Sequence, residues 1–354
     1  MFLLGVKTGS KVTIRGANST RLASYKNRVR NGAMSKKVHL TLAVGDYESI
    51  RALKEGTVKA DGIELTVITD MNSDVRHWRM LRNREFDCAE LSMSNYLMAK
   101  YIGLPFTAIP VFLHRRFRHG FIFLNANKAI TKPSDLIGRK VGLRNFQATA
   151  NLWIRGILEH EHGVPHKSIN WLKQDDEEVD WTPPADLEIH RIPAGKSIEK
   201  MLVEGEIDAL IHPELIQPVL DKDQRVTRLF PNYRQLEMDY FKRTGIFPIM
   251  HTTAIKQEIV DKYPWVPINL YQALEASKKA AYKRMENPRI VPLAWFRSFL
   301  EEQEEVLGTD PWVYGLGEVN RKALETLMLY SQEQGLLGRK MALDELFINT
   351  EAHS

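Results

Sequence analysis

The sequence predicts an α/β protein of two lobes, with mainly parallel sheets and a cleft between the lobes. Two motifs recur in the same order, and they pair residues 86–91 (FDCAEL) with 207–211 (IDALI) and residues 118–123 (RHGFIF) with 243–248 (RTGIFP). Asp87 and Asp208 are 121 residues apart, and Gly120 and Gly245 are 125 residues apart. These similar separations indicate that one α/β arrangement occurs twice, because a chance recurrence of one apolar segment would not preserve the order and spacing of both motifs.

The order of strands and helices is the second observation behind this prediction. Residues 38–44 alternate and then become apolar, which is typical of a strand, and the pattern stops at Gly45. The first lobe is assigned to residues 38–125 and 246–354, with strands predicted at 38–44, 63–68, 88–91, 107–113 and 119–124, helices at 49–54 and 76–84, and a third helix ending at Tyr101. Strands that alternate with helices indicate a largely parallel sheet.

The second lobe, residues 126–245, repeats the scheme. Its longest predicted helix, 147–162, places Trp153 and Ile157 on one apolar face and ends before Gly163, a residue typical of a C-terminal cap. Further predictions are a strand ending at Leu143, strands at 187–192 and 207–211, a helix at 197–203 and an acidic surface loop at 174–186. After a strand at 245–254, helices at 256–263, 267–285, 292–307 and 318–334 are expected to return and pack on the first lobe.

The basic character of the chain belongs to one segment. The net charge is +5, but residues 1–37 hold five Lys, four Arg and no acidic residue, so the remainder carries a net charge of −4. The charge therefore gives no reason to expect nucleic acid or a membrane as a partner. Residues 1–37 are predicted to be a basic disordered extension, although an organelle transit peptide or an upstream start ahead of Met34 would have the same composition.

The remaining composition favours a cytoplasmic protein without a cofactor or metal. Cys88 is the only cysteine, so no internal disulfide indicates an oxidising compartment, and no apolar run is long enough to cross a bilayer. His-Glu-x-x-His, Walker, Gly-x-Gly-x-x-Gly and Gly-x-Ser-x-Gly motifs are absent from the sequence. These features predict no metal site and leave a homo-oligomer open.

Three loops at the carboxyl ends of predicted strands carry polar side chains suited to an anion. Ligands of open α/β sheets bind at this edge, where the N-termini of helices favour negative charge. The predicted substrate-binding residues in these loops are Asp46, Tyr47, Ser92, Ser94, Arg144, Asn145 and Thr149. For Ser92, Ser94 and Thr149, simple capping of a helix is the alternative role.

Basic and histidine side chains collect where the chain is predicted to cross between the lobes. Arg116, Arg118 and His119 lie within residues 114–119 (HRRFRH), and His212 and His251 follow or lie in the second copies of the motifs. A guanidinium group suits carboxylates, and an imidazole exchanges a proton near neutral pH. A solvated charged loop and buried core histidines are the alternative interpretations.

Several longer segments, taken in order from Val38 to Phe347, match one known family. They are 45–48 (GDYE), 116–119 (RFRH), 153–156 (WIRG), 205–209 (GEIDA), 228–231 (RLFP), 244–251 (TGIFPIMH) and 310–315 (DPWVYG). On these segments the chain resembles the type II periplasmic binding protein fold and, within it, the 4,5-dihydroxyphthalate decarboxylases. Several matches in order are more specific than one short motif.

The resemblance implies a non-oxidative decarboxylase that converts 4,5-dihydroxyphthalate to protocatechuate and carbon dioxide without a cofactor. Such a reaction needs an acid beside the ipso carbon, an acceptor at the para hydroxyl and cations for the second carboxylate. Chemistry then selects His119, His212, His251 and Glu90 as candidate catalytic residues and Arg116, Arg118 and Arg144 as carboxylate ligands. The expected partner is a small aromatic dicarboxylate.

Two other classes share this scaffold. A solute-binding protein for an aromatic acid would need no proton-transfer group and would normally carry an export signal or a lipoprotein cysteine, and neither precedes residue 38. A related scaffold serves in thiamine-pyrimidine synthesis, but no Cys-rich iron motif or internal phosphate loop supports that chemistry. The decarboxylase is the leading hypothesis, with the solute-binding protein as its alternative.

Overall fold

The computed structural model describes residues 37–350 and places them in two mixed sheets with helices around them. The predicted extension, residues 1–37, lies outside the described residues apart from Lys37. The strands are β1 (Val38–Ala43), β2 (Ile63–Ile68), β3 (Cys88–Ser92), β4 (Phe106–Ile109), β5 (Ile122–Asn125), β6 (Lys140–Leu143), β7 (Asn170–Lys173), β8 (Ile189–Arg191), β9 (Ala209–Ile211), β10 (Val226–Arg228) and β11 (His251–Lys256). The α-helices are α1 (Glu48–Lys54), α2 (Ser73–Asn83), α3 (Met93–Tyr101), α4 (Thr149–His162), α5 (Ile198–Glu204), α6 (Gln217–Leu220), α7 (Tyr233–Thr244), α8 (Gln257–Lys262), α9 (Val266–Met285), α10 (Phe296–Leu307), α11 (Glu318–Glu333) and α12 (Leu343–Leu346).

The first sheet has the order β2-β1-β3-β11-β4, with β3 at its centre. β1 and β3 run parallel, and β11 is antiparallel to both β3 and β4, with His251 opposite Ser92. All five residues of β3 are buried, so this strand is covered on both faces. A charged residue in β3, such as Glu90, therefore needs partners within the protein.

The second sheet has the order β10-β5-β9-β6-β7-β8. β6 is parallel to β7 and β9, whereas β5 is antiparallel to β9 and β10. Two α/β sheets with mainly parallel strands were predicted, and the structure has them; β11 in the first sheet and β5 in the second are the strands that run antiparallel to their neighbours. The reason is that β5 and β11 enter their sheets from segments that run between the sheets, so no crossover helix sets their direction.

Two segments run between the sheets and lie side by side. The first leaves β4 at Ile109 and reaches β5 at Ile122, so β5 belongs to the second sheet rather than to the first lobe, where the prediction placed it. The predicted strand 107–113 stops at Ile109 because Pro110 has no N–H for a ladder. The second segment, residues 245–250, runs from the end of α7 to the start of β11. Its Met250 N–H donates to the His114 carbonyl of the first segment at 2.9 Å.

The helices after β11 pack on elements of both sheets. α9 lies against α1, as expected for a return to the first lobe, but α10 lies against α7, and α11 lies against α3 and α4. The contact between α4 and α11 is close, because a Cβ placed on Gly156 would lie 2.1 Å from the ring of Tyr330. Glycine at position 156 is what allows this approach.

Candidate active site

A cavity of about 240 Å³ lies at the carboxyl ends of strands from both sheets. Residues at or just beyond the carboxyl ends of β1, β3, β6 and β9 contribute to its walls, and this is the edge of the sheets at which the sequence predicts a ligand site. Of the predicted site residues, the side chains that line it are Tyr47, Ser92, Arg116, Arg118, Arg144, Asn145, Thr149 and His251.

Glu90 lies beneath the cavity wall, fully buried at the centre of β3. Its Oε2 accepts hydrogen bonds from the Gly45 N–H at 2.9 Å and from Arg76 Nη2 at 2.7 Å. Its Oε1 accepts one from the Tyr47 hydroxyl at 2.8 Å and lies 2.7 Å from His251 Nδ1. Burial alone would raise the pKa of Glu90, but His251 and Arg76 lower it below its usual value, so the carboxylate is ionised.

Three imidazoles meet above Glu90. The ring of His251 makes edge contacts with His77 and with His114, at centroid distances of 4.9 and 4.7 Å. Burial, followed by the neighbouring charge of His251, lowers the pKa of His77 and of His114 well below the usual value. His77 and His114 are therefore neutral at pH 7.

Arg118 brings a buried positive charge to the cavity. The residue is 2% exposed, and its Nη1 donates to the Pro213 carbonyl at 2.7 Å, while Nη2 lies against the sulfur of Met250. No carboxylate among residues 37–350 lies within 4.0 Å of its guanidinium nitrogens. Burial, and then the nearby charge of Arg116, lowers the pKa of Arg118 to about 9, which still leaves the group charged at pH 7.

The other two predicted cations are already paired. Arg116 is half-buried and donates to Glu214 at 2.8 Å. Arg144 pairs with Asp74 at 3.0 Å and with Asp175 at 2.7 Å. Both line the cavity, but their charges are neutralised by protein carboxylates, so they are weaker anion ligands than Arg118.

The N-termini of α3 and α4 meet at the cavity. Thr149, the first residue of α4, accepts from the Ser94 N–H at 2.9 Å and lies 2.8 Å from the Ser92 hydroxyl. Ser92 makes no capping bond to α3, whereas Thr149 accepts an N–H from the first turn of α3 and so caps that helix, which is the alternative role given for it. Ser94 is buried behind the wall, and Asn145 accepts from the Ala148 N–H at 3.0 Å at the start of α4.

Glu178 is a lining residue that sequence reasoning missed. It belongs to the predicted surface loop 174–186, yet it is 8% exposed, and Val179 beside it is 2% exposed, so that prediction is wrong for this part of the loop. Burial raises the pKa of Glu178 to about 8, although a hydrogen bond from Asn95 acts in the opposite direction. The apolar Val179 and Trp181 within an acidic stretch were the signal of a buried loop.

His119 does not line the cavity. It is 4% exposed, with its ring 5.9 Å from that of Phe230 and 5.4 Å from that of Tyr240. Burial, and then the charge of His162, lowers its pKa to about 4, so it is neutral at pH 7. Its position is that of a core histidine, the alternative given above, because the 3₁₀ turn that follows Arg118 points its side chain away from the cavity.

His212 and Asp46 are also outside the lining. His212 Nδ1 accepts from the Glu214 N–H at 3.1 Å and so shapes the turn whose Pro213 and Glu214 line the cavity. Asp46 pairs with Lys54 at 2.8 Å on the surface, with 63% of its side chain exposed. Each lies next to a residue of the cavity wall but has its own side chain directed elsewhere.

His77 and His114 complete the site and were not selected from the sequence. His114 belongs to the basic run 114–119, but nothing in that pattern separates it from its neighbours, and His77 lies in α2 without any motif. Within residues 37–350, no group of three or more His, Cys, Asp or Glu side chains is placed to hold a metal ion. No helix in the described part of the chain combines the length and apolarity needed to cross a bilayer.

Comparisons with solved structures show the fold. The chain is similar to the periplasmic aliphatic sulphonate binding protein SsuA of Escherichia coli, with a TM-score of 0.51 and 13% identity over 88% of this chain and 92% of that one. A putative sulfonate-binding protein of Methylobacillus flagellatus gives a TM-score of 0.53 and 11% identity over 89% of this chain and 93% of that one. The predicted two-lobed, type II periplasmic-binding-protein-like fold is thereby confirmed.

Comparisons with sequences show the family. The model of the NMT1/THI5-like family matches residues 49–179. A 4,5-dihydroxyphthalate decarboxylase of Pseudomonas putida is 30% identical over 220 residues, which are 60% of this chain and 85% of that protein. A 4,5-dihydroxyphthalate decarboxylase of Comamonas testosteroni is 31% identical over 320 residues, which are 88% of this chain and 96% of that protein. The resemblance found in the sequence is thus confirmed: the chain belongs to the 4,5-dihydroxyphthalate decarboxylase family and is a carboxy-lyase.

Proposed function

We propose that the chain decarboxylates a hydroxylated aromatic dicarboxylate without oxidation, with 4,5-dihydroxyphthalate, the compound named for its two curated relatives, as substrate. The observation that carries this proposal is Arg118, a buried guanidinium group that no carboxylate of the described residues pairs with. It shares one cavity with the His251–Glu90 pair. A cation for a carboxylate and a positioned proton donor are the two groups that the reaction requires.

Arg118 holds the carboxylate that is not lost. A buried charge without an ionic partner is costly, and an anionic ligand relieves that cost. The guanidinium plane offers parallel N–H donors that match the two oxygens of a carboxylate. Arg116, which lies in the same segment, also lines the cavity but is paired with Glu214, so Arg118 is the stronger carboxylate ligand of the two.

His251 supplies the proton. Because the Glu90 carboxylate is ionised, it accepts a hydrogen bond, so the ring nitrogen that faces it, Nδ1, carries a hydrogen. Nε2 is then the nitrogen that exchanges a proton with a molecule in the cavity. Glu90 fixes the orientation of the ring and stabilises its protonated form, as a carboxylate behind a catalytic imidazole commonly does.

Overall, the reaction takes up one proton for each carboxylate that is lost as carbon dioxide. His251 Nε2–H protonates the ring carbon that bears the departing carboxylate, while the hydroxyl para to that carbon pushes electrons into the ring and releases its own proton. The carbon–carbon bond then breaks, its electron pair restores the aromatic ring, carbon dioxide leaves and the phenol oxygen is reprotonated. The net change consumes the carboxylate and one proton and yields carbon dioxide and the hydroxybenzoate, which for 4,5-dihydroxyphthalate is protocatechuate.

The test is a turnover assay with a panel of hydroxylated benzene dicarboxylates, in which released carbon dioxide and the aromatic product are both measured. We expect release from 4,5-dihydroxyphthalate and none from phthalate, which has no hydroxyl to push electrons. Tight binding of 4,5-dihydroxyphthalate without release would refute the proposal and favour a solute-binding role without catalysis. The same assay on His251→Gln separates the assigned acid from background decarboxylation.

A further inference from the structure

Glu178 is a buried carboxyl group in the cavity that the proposed step does not use. It is 8% exposed and lies in the segment between β7 and β8. Its side chain is in hydrogen-bond contact with Asn95 Nδ2, from the first turn of α3, and Asn95 is itself fully buried. Asn95 binds Oε2 of Glu178, and no residue among 37–350 forms a hydrogen bond with Oε1, so this oxygen is available to a ligand.

The backbone on both sides of Glu178 is fixed to the start of α4. The carboxylate of Glu177 accepts from the N–H groups of Phe146 and Gln147, both at 3.0 Å. The side-chain amide of Gln147 donates to the Val179 carbonyl at 2.7 Å and accepts from the Val179 N–H at 3.0 Å. Glu178 is therefore held at the cavity by a rigid support, as a binding residue needs to be.

The charged neighbours of Glu178 differ from those of Arg118. The charged groups that act on Glu178 are Asp74, Glu177 and Arg144. Those that act on Arg118 are Arg116, Glu214 and Glu237. An aromatic dicarboxylate that also carries hydroxyls needs both kinds of surroundings, because its carboxylates need cations and its hydroxyls need groups that accept and donate hydrogen bonds.

We propose that Glu178 binds a ring hydroxyl of the substrate, so that the cavity selects hydroxylated aromatic acids over unhydroxylated ones. This assignment rests on the proposed function for the class of ligand. A carboxyl group that retains its proton donates from one oxygen and accepts at the other, and a phenol can pair with both. An analogue without the hydroxyl would leave this buried group unsatisfied, which is how a polar pocket rejects it.

The protonation of Glu178 supports the assignment. Burial raises its pKa to about 8, and the neighbouring carboxylates Asp74 and Glu177 act in the same direction, whereas Asn95 and Arg144 oppose them. At pH 7 the group is therefore mostly uncharged and does not repel an anionic ligand. As the pH rises through about 8, the group ionises, and the affinity for an aromatic carboxylate falls.

The test compares two stable ligands that differ only in their hydroxyls, 3,4-dihydroxybenzoate and benzoate, by calorimetry at pH 7. For the wild type, we expect 3,4-dihydroxybenzoate to bind about tenfold more tightly. Glu178→Ala should reduce this ratio to about threefold or less and leave benzoate binding nearly unchanged. Asp180→Ala, a variant of an exposed acid in the same loop, should keep the wild-type ratio.

A second variant keeps the proposal testable if Glu178→Ala does not fold. Glu178→Gln preserves the size of the side chain but does not ionise, so the affinity for 3,4-dihydroxybenzoate should fall between pH 6.5 and 8.5 in the wild type and stay level in this variant. His251 and the other titratable groups are common to both proteins. Equal profiles in the two proteins would overturn the proposal.

The outcomes also separate this inference from the proposed function. An unchanged ligand ratio in Glu178→Ala, with 4,5-dihydroxyphthalate still turned over, overturns the role of Glu178 alone. A ratio that depends on Glu178, with no carbon dioxide released from 4,5-dihydroxyphthalate, supports the role of Glu178 and overturns the proposed reaction. Absence of 3,4-dihydroxybenzoate binding to the wild type, together with no carbon dioxide released from 4,5-dihydroxyphthalate, overturns both.

Discussion

Replacing Arg118 with methionine should weaken ligand binding much more than it weakens the fold. Burial is the main cause that lowers the pKa of Arg118 to about 9, and this shift corresponds to roughly 5 kcal/mol given up by the unliganded protein to keep the group charged. Arg118→Met removes this cost. It also loses the hydrogen bond to the Pro213 carbonyl, worth about 1.5 to 3 kcal/mol for a charged donor, together with packing contacts. We expect Arg118→Met to leave the free energy of unfolding within about 2 kcal/mol of the wild type, whereas breaking a buried ion pair costs about 3 to 5 kcal/mol.

Binding should respond differently. Loss of a buried charge-assisted contact to a carboxylate costs about 2 to 5 kcal/mol, which weakens the Kd by roughly 30-fold to several thousand-fold. Phthalate is the appropriate ligand because it carries both carboxylates and does not react. Calorimetric titration with phthalate and urea unfolding of the same preparations measure the two effects separately.

Arg115→Met is the matched control for this prediction. Arg115 is also buried, at 3% exposure, but it donates to the Val313 carbonyl at 2.9 Å and contacts Asn320 outside the cavity. That variant should lose stability, because its acceptors are left without a donor, and should keep phthalate affinity if it folds. If Arg118→Met instead loses more than about 3 kcal/mol of stability while phthalate affinity stays within about threefold, Arg118 is a structural residue and the reasoning fails.

Three further predictions concern single titratable groups. His251→Gln should lower kcat by about 10²- to 10⁴-fold with phthalate affinity little changed, whereas His119→Gln should keep near-native turnover; steady-state kinetics on folded preparations decide this. Glu90 has a pKa below its unfolded value, so its contribution to stability is present above the usual pKa near 4.5 and is lost as the pH falls; urea unfolding at successive acidic pH values should show this loss in the wild type and not in Glu90→Gln. The pH dependence of stability that comes from Glu178 has the opposite direction, because its pKa is raised from 4.5 to about 8. The wild type should lose stability as the pH rises through this window, and Glu178→Gln should not. The same measurement should show a difference of about 3 to 5 kcal/mol between the two at pH 9.

The sequence could locate the loops of the site because loop position follows from strand order. The motif pair around Asp87 and Asp208 marks equivalent strands, β3 and β9, each of which begins directly after its Asp, and ligand-binding loops of such sheets lie at the carboxyl ends of the strands. Tyr47 lies in one of those loops, Ser92 ends β3 and Thr149 begins α4, and all three line the cavity. This much depends only on the period of the pattern and the order of the elements.

The direction of each side chain within a loop could not be predicted. Arg118 and His119 are consecutive, yet one lines the cavity and the other packs in the core against Phe230 and Tyr240. Asp46 and Tyr47 differ in the same way: Asp46 lies on the surface, and Tyr47 donates a hydrogen bond to buried Glu90. Irregular backbone has no fixed period, so neighbouring residues in it carry no signal of the face that each one occupies.

The histidine cluster depends on tertiary structure alone. His77 comes from α2, His114 from the first segment between the sheets and His251 from β11, so 174 residues separate the first from the last. Only the pairing of β3 with β11 and the packing of α2 bring their rings together above Glu90. A single sequence contains no periodicity that links these three positions.

The central claim is that carbon dioxide leaves as a proton is delivered to the ring carbon that carried it. The most direct measurement is turnover of 4,5-dihydroxyphthalate in D₂O, with carbon dioxide quantified and the product examined by proton NMR. The account predicts one carbon dioxide per substrate and a single deuterium in protocatechuate, at the ring carbon that is ortho to the remaining carboxylate and para to a hydroxyl. Binding without carbon dioxide release, or carbon dioxide release with the deuterium at another ring position, would contradict it.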